Sequence, residues 1–555
     1  MSSLRISHRF DPLGVLFFCG ATVVYIAYAL IASVALSPRV PYADAWHHYD
    51  RLLSQPFRTG VFAFDNGHPE IFANLIRYLD LHYLAGNENW QIAIGLMLAL
   101  AAYATLAVPI ATDRTGTRLA KCAALFTLSL GVFWFANERA LAHDNDALHV
   151  YFVLLCLFTA VRTMLAWGNP ERSGARIAVA ACLCAVASFN FGSGIACFAA
   201  IIVLAFVQRA TWRELAFLIA AGAATVLVYF LCLGPGVNRG AATPLDRIAY
   251  AISSLAAPIK YLFWPSIDPA AAQRMPAAAR SMFLASANGW TDVFGPFDRT
   301  IFPQILFGCF YLAVLLWNTL IGRLRGCDRL TRIGLALGWF GAAVAMAIGL
   351  FRADAFLANA GGQVYAPRYL PWSTLGWCGL LLIWLGRGAD RALPFAVAGA
   401  IALLATPAEL GMTMIAAHQR NVAEDGAVAM MAGVDPDTDL GENVLTEMRS
   451  GARRMKESAT GVFALPESDV LGRHVDAARF SPVSPRPRIG YSASGRIALE
   501  FDDAAKAPAC KYLVISTNGV ATGVVRRIDA TTWTGYSRST TMPDAAPFAA
   551  NRCTR

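Results

Sequence analysis

Eleven apolar runs, most near the twenty residues that a helix needs to cross a bilayer, leave this chain few choices outside a membrane. They cover 12–36, 91–111, 120–137, 147–167, 175–189, 192–208, 214–233, 301–322, 332–351, 370–386 and 392–411. The chain is 56% hydrophobic and 15% charged. A soluble chain would carry about a quarter charged residues. The sequence is therefore read as an α-helical polytopic membrane protein of about eleven transmembrane helices.

The connectors set the expected orientation. Arg5, His8 and Arg9 precede the first run, which is too long for a signal-peptide core and is followed by no small-residue cleavage site. The N-terminus is thus expected in the cytoplasm. Alternate connectors, 113–121, 168–176, 209–213, 323–332 and 387–391, then fall on the cytoplasmic side. The fourth holds Arg323, Arg325, Arg329 and Arg332, as the positive-inside rule asks. The net charge of +9 is accounted for in this way. No basic face with interleaved aromatics suggests nucleic acid. Outside lie the large loops 37–90 and 234–300, the short loops 138–146 and 352–369, and the C-terminal tail. The segment 247–267 is apolar but is read as an interfacial helix, because a further span would move the Arg323–Arg332 cluster outside. High Ala and Arg content hints at a GC-rich bacterium, so the expected location is a bacterial inner membrane.

The domain boundary is expected near 411. Residues 1–411 form the transmembrane domain and 412–555 a small extracytoplasmic α+β or mainly β domain. Residues 416–460 look helical, with a break at 433–439, and 496–501, 512–516 and 524–533 read as strands. Ten of twelve cysteines lie in or beside apolar runs, as small hydrophobes. Cys510 and Cys553 lie in the tail, as two free thiols or, outside the cytoplasm, a disulfide.

Ionisable residues beside a bilayer are costly and tend to mark function. Asp44 follows the first helix within Pro41-Tyr42-Ala43-Asp44-Ala45-Trp46, although Tyr and Trp there also suit an interfacial belt. His47 and His48 are adjacent and cannot form a facing pair on a helix. Further along the loop stand Asp50, Asp65, His68, Glu70, Asn74 and Arg77. Pro69 opens an amphipathic helix whose apolar side holds Ile71, Leu75, Ile76 and Leu79, with Glu70, Asn74 and Arg77 pointing across or away. In the next outer loop, Glu138 and Arg139 precede His143-Asp144-Asn145-Asp146, with His149 one turn on. Asp144 and Asp146 offer oxygen ligands suited to Mg²⁺ or Mn²⁺ beside phosphate; their other reading is helix capping. The last outer loop ends in Arg368-Tyr369-Leu370-Pro371, where Arg368 matches a lipid-linked phosphate or snorkels to headgroups.

An acidic residue in a long first outer loop, an acidic pair in the second and a late Arg-Tyr-Leu-Pro leading into a helix resemble the GT-C superfamily. That group contains oligosaccharyltransferases, protein O-mannosyltransferases and aminoarabinose transferases. The resemblance covers the topology of 1–411 and these motif residues, with Ala43 and Ala45 flanking Asp44 where family members often carry a second acid. It implies a membrane glycosyltransferase that takes sugar from a polyprenyl-phosphate donor to a glycan, lipid or protein acceptor on the outer face. Asp44 would then be the catalytic carboxylate, with Asp144 and Asp146 assisting or holding the metal. His68, Glu70, Arg368 and Tyr369 would bind substrate, Arg368 at the lipid phosphate. The rivals are a transporter or flippase for a lipid-linked glycan, favoured by the break at Asn190-Phe191-Gly192-Ser193-Gly194, and a non-catalytic assembly component.

Overall fold

The structure, a computed structural model, describes residues 11–65, 67–166, 173–232, 241–263, 301–358, 362–387, 392–437, 442–475, 480–482, 487–492, 494–539 and 547–550, with isolated positions between 277 and 285. A helix occupies each of the eleven apolar runs: Asp11–Leu36, Asn89–Ala111, Arg118–Phe133, Asp144–Leu165, Ser173–Ser188, Ala196–Val207, Trp212–Cys232, Ile301–Arg325, Arg329–Ala358, Leu370–Arg387 and Ala392–Ala432. Among the described residues, eight stretches are long and apolar enough to cross a membrane, and two shorter apolar helices flank the break near Asn190. The chain is a polytopic helical membrane protein with a β-sheet domain towards its C-terminus.

The chain falls into two compact units. The first comprises Met1–Ser37, Ala63–Ala73 and Ile92–Ala416. Its centre is the helix Arg118–Phe133, which packs against Asp11–Leu36 and Leu370–Arg387 and whose Phe126 and Phe133 are fully buried. Hydrophobic burial drives little association between helices in lipid, so this packing rests on close fit. The break lies between Ser188 and Ala196, where Gly192–Ile195 forms a 3-10 turn. A Cβ on Gly194 would fall 2.2 Å from the carbonyl of Ala187, so only glycine lets the chain turn back there.

The segment expected to form one interfacial helix is two short helices, Pro244–Ser254 and Ala257–Phe263. The first opens on a capping box between Thr243 and Asp246. The last four residues of the expected segment, 264–267, lie outside the described residues.

The second unit comprises Pro38–Phe62, Asn74–Gln91 and Ala417–Arg555. Its seven-stranded antiparallel sheet runs, in spatial order, Phe480–Pro482, Pro547–Ala550, Tyr512–Thr517, Val520–Arg527, Thr532–Ser537, Arg496–Glu500 and Arg488–Tyr491. Ile497, Leu499, Leu513, Ile515, Val525 and Trp533 fill one face. The stretch 524–533, expected as one strand, is the end of one strand and the start of the next. Asp529 makes the turn, its Oδ1 accepting the N–H groups of Thr531 and Thr532, each at 2.8 Å. Asn518 and Gly519, at φ 53° and 73°, close the hairpin before it.

The amphipathic helix also departs from expectation. Within the second unit Asn74 and Arg77 are fully buried, whereas Leu79 is exposed. Asn74 Oδ1 accepts from Arg77 (2.8 Å) and Arg51 (3.2 Å), so the polar side is the packed one. A hydrophobicity pattern cannot anticipate a buried amide whose bonds are satisfied by distant partners.

Candidate functional site

The first unit gathers ionisable side chains where several helices end together. The two-residue pairing Phe64↔Pro69 and Asp65↔His68 folds the loop back on itself, with Gly67 at φ 81° in the turn. This presents His68 between two helices. Tyr229, near the end of Trp212–Cys232, places its hydroxyl 2.7 Å from His68 Nδ1 and donates to the carbonyl of Gly67 at 3.0 Å. A hydroxyl that donates to Gly67 accepts from Nδ1–H, which leaves Nε2 as the acceptor. Arg352 Nη2, near the end of Arg329–Ala358, lies 3.3 Å from that Nε2. This tautomer is assigned from the partners. Burial, with Arg352 adding to it, pushes the imidazole down to about 4; nearby Glu70 opposes this. His68 is neutral at physiological pH.

Phe191, carried in by the break, joins two histidines. Its ring stacks on His149 at 4.0 Å between centroids and lies 5.0 Å from His68. Trp372, at the start of Leu370–Arg387, follows in line at 6.5 Å. Gly192 makes room, because a Cβ there would lie 2.6 Å from His68 Nδ1.

Asp146 sits on the first turn of Asp144–Leu165, after His143 as N-cap. Its carboxylate is not a helix cap: Oδ2 pairs with Arg139, and Oδ1 lies 3.6 Å from His149 Nε2. Glu138 and His143 form a second buried pair at 3.5 Å. The turn Pro367–Tyr369 packs against Glu138–Ala142, which brings Arg368 to this end of the helices. Arg368 is exposed, donates to Gln363 at 3.3 Å and lies over the Tyr369 ring at 5.1 Å.

Of the residues singled out in the sequence, His68, Glu70, Asp146, Arg368 and Tyr369 belong to this unit, with His68 and Asp146 linked through His149 and Phe191. The side chain of Asp144 lies outside the described residues. Asp44 belongs to the second unit, exposed at the N-cap of Ala45–Ser54 and making no side-chain capping bond. The preceding Ala43 has φ 51°, an uncommon conformation for a residue with a Cβ. In the same unit His48 Nδ1 lies 3.1 Å from Arg51, and His47 Nδ1 lies 3.8 Å from Glu447. Arg352 and Tyr229 escaped the sequence reading. The available signal was a charge closing an apolar run, Leu350-Phe351-Arg352.

No protein-family model matches the chain, and no curated protein matches it. Two solved structures are similar to it. The Archaeoglobus fulgidus oligosaccharyltransferase in complex with Zn and sulfate is 16% identical, with a TM-score of 0.34, and the match covers 77% of this chain and 57% of that one. Its apo form is 15% identical, with a TM-score of 0.33 and coverage of 76% and 58%. The chain thus spans less than two thirds of either structure's length.

Proposed function

We propose that the chain is a membrane glycosyltransferase of GT-C type, which moves a sugar from a polyprenyl-phosphate donor to an envelope glycan, lipid or protein acceptor outside the cytoplasm. The observation that carries this reading is the linked set Asp146, His149 and His68 with Arg139 and Arg352, gathered at one end of the helices. Such groups are expensive beside lipid and are kept where they act on a polar substrate. The sequence resemblance supports it further, through Asp44 and through Arg368 before the helix at Leu370. An extracytoplasmic tail agrees with Cys510, which is buried and disulfide-bonded.

In this reading an acceptor hydroxyl attacks the anomeric carbon of the donor sugar. The bond from that carbon to the phosphate oxygen breaks, the electron pair leaves with the polyprenyl phosphate, and the hydroxyl proton passes to Asp44. The sequence resemblance assigns this role to Asp44, whose exposed side chain makes no capping bond at the N-cap of Ala45–Ser54. Arg368 and Arg352 carry guanidinium groups to meet the phosphate charge, and neutral His68 offers an uncharged ring to the sugar. Oδ1 of Asp146 and Nε2 of His149, 3.6 Å apart, are donors that one divalent ion could share, while Oδ2 is engaged by Arg139. A Mg²⁺ or Mn²⁺ ion held by Asp146 and Asp144 would add positive charge at the leaving phosphate.

The helix break at Gly192–Ile195 favours a second reading, transport of the lipid-linked glycan without chemistry. One experiment separates the two. Purified chain in liposomes is supplied with polyprenyl-linked sugars and an acceptor extract, and sugar-free polyprenyl phosphate is measured by mass spectrometry. The transferase releases it, and Asp44→Asn or Asp146→Asn abolishes the release. A transporter leaves the donor intact.

A further inference from the structure

We propose that the first unit holds a binding site for an anionic glycerophospholipid, with an acyl chain along the helix Leu370–Arg387 and the phosphate at Arg387. This inference is independent of the transferase reading.

A cavity of about 570 Å³ runs beside that helix, walled by apolar side chains that include Ile259, Phe310, Trp377, Leu381, Trp384 and Leu404. It reaches from Thr374 to Arg387, roughly 20 Å at the rise of an α-helix. One leaflet of hydrocarbon is about 15 Å deep, half of a bilayer core. The cavity therefore accepts a chain of one leaflet's length, and exposed Phe310, Trp384 and Leu404 put its mouth on the outer surface of the bundle.

Polarity gives the occupant a direction. Among the described residues Arg387 is the one charged residue lining the cavity, beside Asn318, whose carbonyl accepts from Arg387 Nη2 at 3.3 Å. At the far end Thr374 Oγ1 is buried without a hydrogen-bond partner, a polar atom too weak to hold a headgroup alone. Charges around Arg387 favour an anion. Arg325 and Asp328 lie within electrostatic reach. Asp328 is engaged in capping, its carboxylate accepting from the Thr331 N–H at 2.8 Å and hydroxyl at 2.9 Å. Arg323 and Arg329 each spend one N–H on a carbonyl, of Phe206 and Pro109, as Arg387 does on that of Asn318. Arg387 differs in lining the cavity, and its remaining N–H groups, with exposed Arg325 nearby, can meet a phosphate. Basic pockets between membrane helices bind anionic headgroups in this way.

The test uses the delipidated full-length chain and native mass spectrometry with phosphatidylglycerol and phosphatidylcholine of identical acyl chains. Wild type is expected to bind phosphatidylglycerol about fivefold more tightly for one arginine engaged, and Arg387→Gln to remove that preference while phosphatidylcholine binding persists. Leu404→Trp, which fills the mouth, is expected to weaken both lipids. As a second measurement, dibrominated phosphatidylglycerol is expected to quench tryptophan fluorescence, and less so in the Trp377→Phe/Trp384→Phe variant. Equal affinity for the two lipids, an unchanged preference in Arg387→Gln, or undiminished quenching in the double variant would overturn the site. So would displacement of phosphatidylglycerol by polyprenyl phosphate mole for mole, which would make the cavity a track for an isoprenoid chain instead.

Discussion

The hydroxyl of Tyr229 stands 2.7 Å from Nδ1 of His68 and at the same time holds the carbonyl of Gly67. One side chain thereby fixes both the fold of the loop and the tautomer of the histidine. Tyr229→Phe leaves the Gly67 carbonyl and the His68 N–H without that partner, at a cost of about 1–3 kcal/mol. The expected result is a lower thermal midpoint in detergent and faster proteolysis near residue 67. An unchanged midpoint would show that the contact is not made.

The same histidine makes stability depend on pH. Its folded value lies at about 4, below the ordinary 6.5. Between those values the unfolded chain binds a proton that the folded chain does not, so stability falls as pH drops through the window. Below about 4 both states are protonated and the loss is complete, amounting to roughly 3 kcal/mol at most. The thermal midpoint of wild type should therefore fall between pH 6.5 and 4 more steeply than that of His68→Gln. Parallel slopes would contradict the assignment.

Arg139 and Asp146 form an ion pair whose side chains are 19% and 14% exposed. Removing one partner strands the other charge, so Arg139→Met or Asp146→Asn alone should cost about 3–5 kcal/mol. The double variant should be more stable than the sum of the two losses implies. A double-mutant cycle by chemical unfolding measures that coupling, and strict additivity would exclude it.

In the second unit Arg526 is 2% exposed and reaches Glu424 at 3.0 Å, Asp425 at 2.7 Å and the carbonyl of Asn421 at 3.1 Å. It ties the strand Val520–Arg527 to the polar end of the helix Ala392–Ala432. Arg526→Leu should cost about 3–5 kcal/mol by leaving two acidic groups unpaired. Hydrogen exchange should then rise in residues 512–527; protection equal to wild type would contradict the role.

Much of this arrangement was legible in the chain. Among the described residues each of the eleven apolar runs holds a helix, and eight stretches are long and apolar enough to cross a membrane, the length that bilayer thickness asks for. Asn190–Gly194 announced a break, since glycine, serine and asparagine disfavour helix there. Asp146 stood out as a charge beside an apolar run, and His68 as a titratable group in the turn that opens the amphipathic helix of the first long loop. The partners were not legible: Tyr229 and Arg352 lie about 160 and 280 positions from His68, and no local pattern encodes such a contact. Asn74 and Arg77 misled for the same reason, being polar groups buried against distant donors. Asp529 hid a turn inside an apparent strand because its side chain, rather than a glycine or proline, makes the bend.

Sugar transfer by this chain would leave a mark on the cell envelope. The most direct measurement compares envelope glycans and glycolipids by mass spectrometry in a deletion strain and in strains expressing wild type, Asp44→Asn or Asp146→Asn at matched membrane levels. One sugar addition is expected to disappear on deletion, to return with wild type and to fail to return with either variant. Full restoration by Asp44→Asn would contradict the catalytic assignment, and an unaltered glycan profile in the deletion strain would contradict the claim itself.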